Sequence, residues 1–197
     1  MAKGSSFERE LCKDLSEWWT RDRRDDVFWR TAGSGARATT RGKRGRKTAG
    51  AAGDVCATDP IGDPFTRLIT LELKRGYNAA HLHALLDRAP HAATQLYEDW
   101  LAQAERSAKN AGTPYWWLVH RRDLREAVLT MPLELAAQLN LSGGTGKVIG
   151  SCCETIFCDK SGNVWRTYSC LLTCFFQGVS PDAVRAVAEA ETQGQRR

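Results

Sequence analysis

The clearest alternation of apolar and polar positions lies in residues 68–75, Leu-Ile-Thr-Leu-Glu-Leu-Lys-Arg. Because successive side chains of a strand point to opposite faces, Glu72 and Lys74 share one face. The other face carries Ile69, Leu71 and Leu73. We expect this apolar strand to be central in its sheet. An acid and a base on one partly buried face are costly unless they pair or bind a metal. The alternative is an amphipathic edge strand with a solvated pair.

The N-terminal segment has apolar residues spaced as in an amphipathic helix over residues 5–20. They are Phe7, Leu11, Leu15 and Trp18, with Cys12 and Trp19 beside them. At about 100° per residue, Glu8 lies inside the apolar arc, whereas Glu10 and Glu17 lie on the solvent side. A carboxylate that faces the body of the protein needs a partner. The alternative is a Glu8 at the rim of the stripe that reaches water.

Two short strands are predicted over residues 25–30 and 53–58, and residues 59–64 have the composition of a turn that leads into the strand at 68–75. A hairpin formed by the second and third of these strands would bring Asp54 beside Glu72. Two carboxylates can hold one hard divalent cation, and Mg²⁺ suits a site with few protein ligands, water and substrate phosphate.

Between the first two strands lies a glycine-serine segment, residues 31–36, followed by a basic run. Ser34 and the amides around it suit a phosphate, although many turns have this composition. The basic run contains Arg37, Arg41, Lys43, Arg44, Arg46 and Lys47 and no acid. Such a cluster favours contacts with a phosphate backbone; the alternative is a solvated loop.

The middle of the chain alternates helix and strand patterns. We predict a helix at 92–110, strands at 115–120 and 127–131, and a helix at 132–140. Gln103 lies at the edge of the inner face of the first helix.

His81, His83 and His91 are interpreted as surface residues of a short helix rather than zinc ligands, since no cysteine or carboxylate nearby completes a ligand set.

After residue 141 the composition changes. Residues 142–146 form a linker, residues 159–163 a hairpin turn, and Ser180-Pro181 begins a helix. This part carries Cys152, Cys153, Cys158, Cys170 and Cys174. A four-cysteine zinc site is one hypothesis, but the spacings differ from the usual pairs, so free thiols are favoured.

The composition narrows the class of protein. With 28 Lys and Arg against 23 Asp and Glu in 197 residues, the net charge is +5 and the pI about 8.9. An odd number of cysteines, a polar start and no membrane-length apolar run together indicate a cytoplasmic protein. The clustered positive charge favours DNA over a membrane as the binding partner, because membrane binding would normally require an apolar face as well.

The ordered set of motifs resembles the PD-(D/E)xK nuclease superfamily, and within it archaeal-type Holliday junction resolvases and related phage nucleases. The likeness rests on residues 3–11 (Lys-Gly-Ser-Ser-Phe-Glu-Arg-Glu-Leu), on residues 32–35 (Ala-Gly-Ser-Gly), and on Asp54 with Glu72-Leu73-Lys74. It implies an α/β, restriction-endonuclease-like core with a mixed central sheet flanked by helices. We expect this core to span residues 1–141 and a Cys-containing hairpin and helix extension to span 142–197.

The resemblance also implies roles for the site residues. Asp54, Glu72 and Glu8 would bind Mg²⁺, or Mn²⁺, and Lys74 would position a water and stabilise charge on phosphorus. Ser34 would hold a phosphate, and the basic run with Arg75 would bind DNA. The expected function is cleavage of branched DNA by a homodimer. A restriction-type or nicking endonuclease and a non-catalytic DNA-binding module are the alternatives.

Overall fold

The structure is a computed structural model, and it describes residues 3–31, 53–85, 95–142 and 150–194. Four of the predicted features lie wholly or mostly outside these residues. They are the glycine-serine segment with Ser34, the linker after Ser142, His91, and the basic run Arg37, Arg41, Lys43, Arg44, Arg46 and Lys47.

The described part of the chain forms helices on both sides of a mixed sheet. The helices are α1 (Lys3–Thr20), α2 (Asp63–Leu68), α3 (Leu96–Ala111), α4 (Leu133–Gln138), α5 (Leu172–Gly178) and α6 (Pro181–Gly194). The strands are β1 (Phe28–Arg30), β2 (Val55–Ala57), β3 (Ile69–Arg75), β4 (Tyr115–Arg121), β5 (Ala127–Pro132), β6 (Cys152–Cys158) and β7 (Val164–Leu171). Short 3₁₀ helices span Pro60–Gly62 and Leu82–Leu85.

Five strands form the main sheet in the order β3-β4-β5-β7-β6, with β3 parallel to β4 and the other pairs antiparallel. Side chains along β3 and β4 point alternately to the two faces of the sheet, and residues in register point to the same face. The two strands therefore contribute to two separate hydrophobic cores. Leu71 and Trp117 pack in the core that includes α1, whereas Leu118 packs in the core under α3. Glu72 is in register with Leu118 and so belongs to the α3 face. This architecture confirms the predicted restriction-endonuclease-like α/β class.

The predicted hairpin between residues 53–58 and 68–75 is wrong. β2 pairs with β1 in a separate antiparallel pair, and α2 intervenes before β3. The predicted turn at 59–64 instead holds a 3₁₀ helix, in which the Asp59 side chain accepts a hydrogen bond from the Ile61 amide. Pro64 then lies in the first turn of α2, where proline is compatible with a helix.

The expectation of a central position for residues 68–75 is also wrong, since β3 lies at the edge of the main sheet. The strand is nevertheless buried from Ile69 to Leu73. Helices α1 and α3 cover its two faces, and the segment around Asp54 covers its free edge. Coverage by neighbouring elements, rather than a central position, therefore accounts for its apolar composition.

The Cys-containing hairpin is continuous with the main sheet. Turn 159–163 connects β6 and β7 as predicted, with Asp159 accepting hydrogen bonds from the amides of Ser161 and Asn163. β7 pairs with β5 from Val128–Leu171 to Pro132–Thr167. The helix predicted from Pro181 is present as α6. None of the described helices is long and apolar enough to cross a membrane.

Candidate active site

Asp54 is held against the free edge of β3 by its backbone and its side chain together. Its amide donates to the Leu71 carbonyl at 2.8 Å, and its carboxylate Oδ2 accepts from the Leu73 amide at 2.7 Å. These are groups through which an edge strand would otherwise pair with a further strand. The juxtaposition of Asp54 with the Glu72 strand is thus as predicted, although no hairpin produces it.

Gly53 allows this close approach. Its φ is +78°, and a Cβ at this position would lie 2.4 Å from the Leu71 carbonyl oxygen and 2.9 Å from Thr70 Cγ2. Any side chain would have to push the segment away from β3, and with it the Asp54 carboxylate. Glycine is therefore the residue that both the backbone conformation and the space require.

We expect Gly53→Ala to lower the free energy of unfolding by about 2–4 kcal/mol and to weaken divalent-cation binding, because Asp54 moves away from β3. The control is Gly162→Ala, since Gly162 has φ +81° but nothing within 4 Å of its missing Cβ. That variant should lose only about 1 kcal/mol, the cost of the left-handed backbone. Urea unfolding and calorimetric titration with Mn²⁺ measure both effects; equal losses in the two variants would contradict the steric account.

Glu72 is buried, with 4% of its surface exposed, on the face of β3 that α3 covers. Ser107 Oγ donates to its Oε1 at 2.7 Å, and Gln103 Nε2 donates to its Oε2 at 2.9 Å. Burial and then the negative charge of Asp54 raise the pKa of Glu72 to about 7, against the opposing effects of Ser107, Lys74 and Arg106. The carboxylate is therefore fixed in position but electrostatically unfavourable in the absence of a cation.

Lys74 lies two residues after Glu72 in β3, and its side chain therefore points to the same face of the sheet. Its Nζ donates to Gln103 Oε1 at 2.9 Å and lies 3.8 Å from Glu72 Oε2. The amide of Gln103 thus connects the ammonium of Lys74 to the carboxylate of Glu72. Because the lysine side chain is only 16% exposed, its charge has little freedom to move away from this position.

Glu8 lies on α1 with a side chain that is 25% exposed, and its Oε2 is 3.5 Å from Arg30 Nε. Burial, and to a smaller extent the charges of Cys56, Glu8 and Asp54, raise the pKa of the Cys12 thiol to about 12, while Arg30 opposes them. Glu8 and Asp54 are therefore both close enough to act on the same thiol. Glu8 thus faces the Asp54 side of the protein, at the half-buried rim rather than deep inside.

A hard divalent cation fits the pair of Asp54 and Glu72. Both carry oxygen ligands, and the charge of Asp54 disfavours ionisation of Glu72, an effect that a cation would reverse. Among the described residues, no three of His, Cys, Asp and Glu form a group suited to a metal ion. Mg²⁺ commonly has only one or two carboxylate ligands, with water and phosphate completing the shell, so the two carboxylates suffice.

The cysteines do not form a zinc site within the part of the chain that the structure describes. All seven are free thiols, and those of the hairpin range from exposed Cys152, Cys153 and Cys158 to buried Cys170. Cys152 lies opposite Cys170 in the β6–β7 register. The zinc hypothesis therefore has no support from the geometry.

Two residues of α3 complete the site. The helical pattern predicts Gln103 only at the edge of the inner face of its helix and predicts no role for Ser107. They lie four residues apart, so they share one helical face, and both contact Glu72. The signal was available in the sequence as two polar residues beside the apolar stripe, but their partner strand could not be identified from spacing alone.

A mixed sheet flanked by helices, with an aspartate held against a strand that carries Glu-x-Lys, defines a PD-(D/E)xK nuclease, a metal-dependent phosphodiester hydrolase. The comparison with protein families agrees: the model of the phage putative PDDEXK endonuclease family matches residues 1–155, and the chain belongs to that family. The match includes Glu8, Asp54, Glu72 and Lys74. Comparisons with curated proteins and with solved structures give no match.

Proposed function

We propose that the protein is a Mg²⁺-dependent endodeoxyribonuclease that cuts branched DNA, such as a four-way junction. The observation that carries the proposal is the contact network in which Asp54, Glu72 and Lys74 converge at β3. Asp54 and Glu72 would hold Mg²⁺, with Mn²⁺ as a substitute, and Glu8 on α1 would complete the shell through a metal-bound water. When bound, the cation would neutralise charge on the phosphate and lower the pKa of a water molecule.

The chain's own residues supply the positioning. Lys74 would donate to the attacking water or to a phosphate oxygen, where its charge stabilises the negative charge that builds up in the transition state. The Lys74 ammonium donates a hydrogen bond to Gln103 Oε1 at 2.9 Å, so it would need to move little when the transition state forms. Ser34 is proposed to hold the scissile or an adjacent phosphate.

DNA affinity is assigned to the basic residues, which bind phosphates without reading sequence. They are Arg37, Arg41, Lys43, Arg44, Arg46, Lys47 and Arg75. The branched substrate is supported by the resemblance of residues 3–11 and of the site motifs to junction resolvases. A homodimer follows from that substrate, because a four-way junction has twofold symmetry and needs two matched cuts.

The substrate assignment is tested by one assay on four DNAs: a four-way junction, a flap, a linear duplex and a supercoiled plasmid, each with Mg²⁺. We expect the junction to be cut at least about tenfold faster than the linear duplex of the same sequence, and the protein to behave as a dimer in light scattering. Equal rates on junction and duplex would reject the branched substrate but leave the nuclease. Sequence-specific cutting of the plasmid would favour the restriction-type alternative.

A further inference from the structure

Two loops lie side by side just beyond the strand end that carries the candidate catalytic lysine. β3 and β4 run parallel, with Lys74 in register with His120 and Arg75 with Arg121. The loop after β3 and the turn after β4 are joined by Asn78 and Asp123. The Asp123 amide donates to Asn78 Oδ1 at 2.8 Å, and Asn78 Nδ2 donates to Asp123 Oδ2 at 3.3 Å. The two loops are therefore fixed relative to each other.

Each loop presents a large apolar side chain from an unfavourable backbone conformation. Leu124 has φ +58° and Tyr77 has φ +46°. Leu124 occupies the third position of a turn closed by a hydrogen bond from the Arg125 amide to the Arg122 carbonyl at 3.3 Å. With this positive φ, that position normally favours glycine or asparagine.

These two side chains are also exposed. Leu124 is fully exposed at 104%, and Tyr77 is 54% exposed with its ring edge-on to Trp100 at 5.1 Å between ring centroids. At Leu124 the strained backbone is not offset by packing, because the residue buries none of its surface, so its presence indicates a function. In the linked loop the strain at Tyr77 is offset in part by the contact with Trp100, but about half of the residue remains exposed.

Two arginines lie in the turn that carries the apolar tip. Arg122 precedes Leu124 by two residues, and Arg125, which is exposed, follows it directly. The turn also carries two acids, of which Asp123 is bound to Asn78 and Glu126 is exposed. An apolar tip between arginines matches a ligand with a charged exterior and an apolar interior, as DNA has at a base step.

The position of the tip relative to the site limits where it could contact DNA. Leu124 lies four positions after His120, the register partner of Lys74, and at about 3.3 Å per position the two are at most roughly 13 Å apart. This distance corresponds to about four base pairs of B-form DNA at 3.4 Å each. DNA whose phosphate lies at Lys74 would therefore be within reach of Leu124.

We propose that Leu124 is a wedge that enters the base stack of bound DNA within about four base pairs of the cut, while Tyr77 packs against the exposed base. Arg122 and Arg125 hold the phosphates on either side. This inference rests on the proposed DNA substrate, and it explains a preference for branched DNA, where the bases next to the branch are the least costly to unstack.

The test uses the full chain and a four-way junction, with 2-aminopurine placed at successive positions outward from the branch on each strand and Ca²⁺ in place of Mg²⁺. Wild type should raise the probe fluorescence at one or two positions by about threefold or more, because unstacking relieves quenching. Leu124→Ala and Leu124→Asn should lose most of this rise, and Leu124→Met should retain it. The control is Ile156→Ala, since Ile156 is 60% exposed on β6 at the other edge of the sheet.

The outcomes separate this inference from the proposed function. If wild type cuts DNA and Leu124→Ala gives the same fluorescence as wild type at every position, the wedge is rejected and the nuclease stands. If wild type cuts no DNA with Mg²⁺ or Mn²⁺ but a Leu124-dependent fluorescence rise occurs, the wedge stands and the hydrolase assignment fails. If Leu124→Ala leaves the fluorescence unchanged but dissociates a wild-type dimer, the tip contacts a second copy of the chain and the wedge is rejected.

Discussion

Lys74→Met should reduce the rate of DNA cleavage by roughly 10²–10³-fold at saturating Mg²⁺, which is the usual cost of removing a positioned donor from a transition state. Methionine has a similar length and occupies the same path beside α3, so the fold should remain intact. DNA affinity in Ca²⁺ should change by only a few-fold, because one phosphate contact among many is removed. Single-turnover cleavage and fluorescence anisotropy measure the two quantities.

The matched control is Lys109→Met on α3. Lys109 is a surface lysine whose side chain is 72% exposed and pairs with Glu105 at 3.3 Å. It removes the same charge from the same side of the molecule without touching Gln103 or Glu72. The role assigned to Lys74 would be contradicted if both variants lost the same amount of activity, or if Lys74→Met lost affinity in parallel with rate.

Glu72→Gln should have opposite effects on activity and on stability. Cleavage should fall below detection, because the substitution removes one of the two charged metal ligands. The free energy of unfolding of the metal-free protein should rise at pH 8 by about 1–3 kcal/mol. The raised pKa of about 7 means that ionised Glu72 costs about 3 kcal/mol in the folded state relative to the unfolded chain.

The pH dependence of this difference has a defined sign. Between pH 4.5 and 7 the folded protein retains a proton on Glu72 that the unfolded chain has lost, so the contribution of Glu72 to stability falls as pH rises through this window. The variant and wild type should therefore converge near pH 4.5 and diverge up to pH 8. Glu105→Gln, a surface substitution on α3, should show no such divergence. Urea unfolding at several pH values, with and without Mg²⁺, provides the measurement, and Mg²⁺ should stabilise wild type only.

Much of the site could be predicted because its chemistry leaves a pattern in the sequence. Glu72 and Lys74 alternate with aliphatic residues in a strand, so their shared face followed from the strand period alone. Glu8 could be placed on the inner side of α1 by the helical period, and the structure has it half-buried next to Arg30. Both inferences depend on local geometry, which the sequence determines most directly.

The parts that could not be predicted depend on long-range contacts. Asp54 reaches β3 through a left-handed glycine and two hydrogen bonds, not through strand pairing. The sequence gives no sign of which amide will donate to its carboxylate. The short segment 63–68 has too few residues for a helical period, so the sequence predicts no helix there, and its first two residues fall in the turn predicted at 59–64. The pairing of β7 with β5 brings together residues about 40 apart, which no local pattern encodes.

The most direct test of the account is cleavage of supercoiled plasmid by wild type and by Asp54→Asn over a range of Mg²⁺ concentrations, with EDTA as the zero point. The central claim is that Asp54 and Glu72 form a divalent-cation site that drives phosphodiester hydrolysis. It predicts saturable, Mg²⁺-dependent nicking by wild type, none in EDTA, and none by Asp54→Asn at any Mg²⁺ concentration. Cleavage by Asp54→Asn at the wild-type rate, or wild-type cleavage that continues in EDTA, would contradict it.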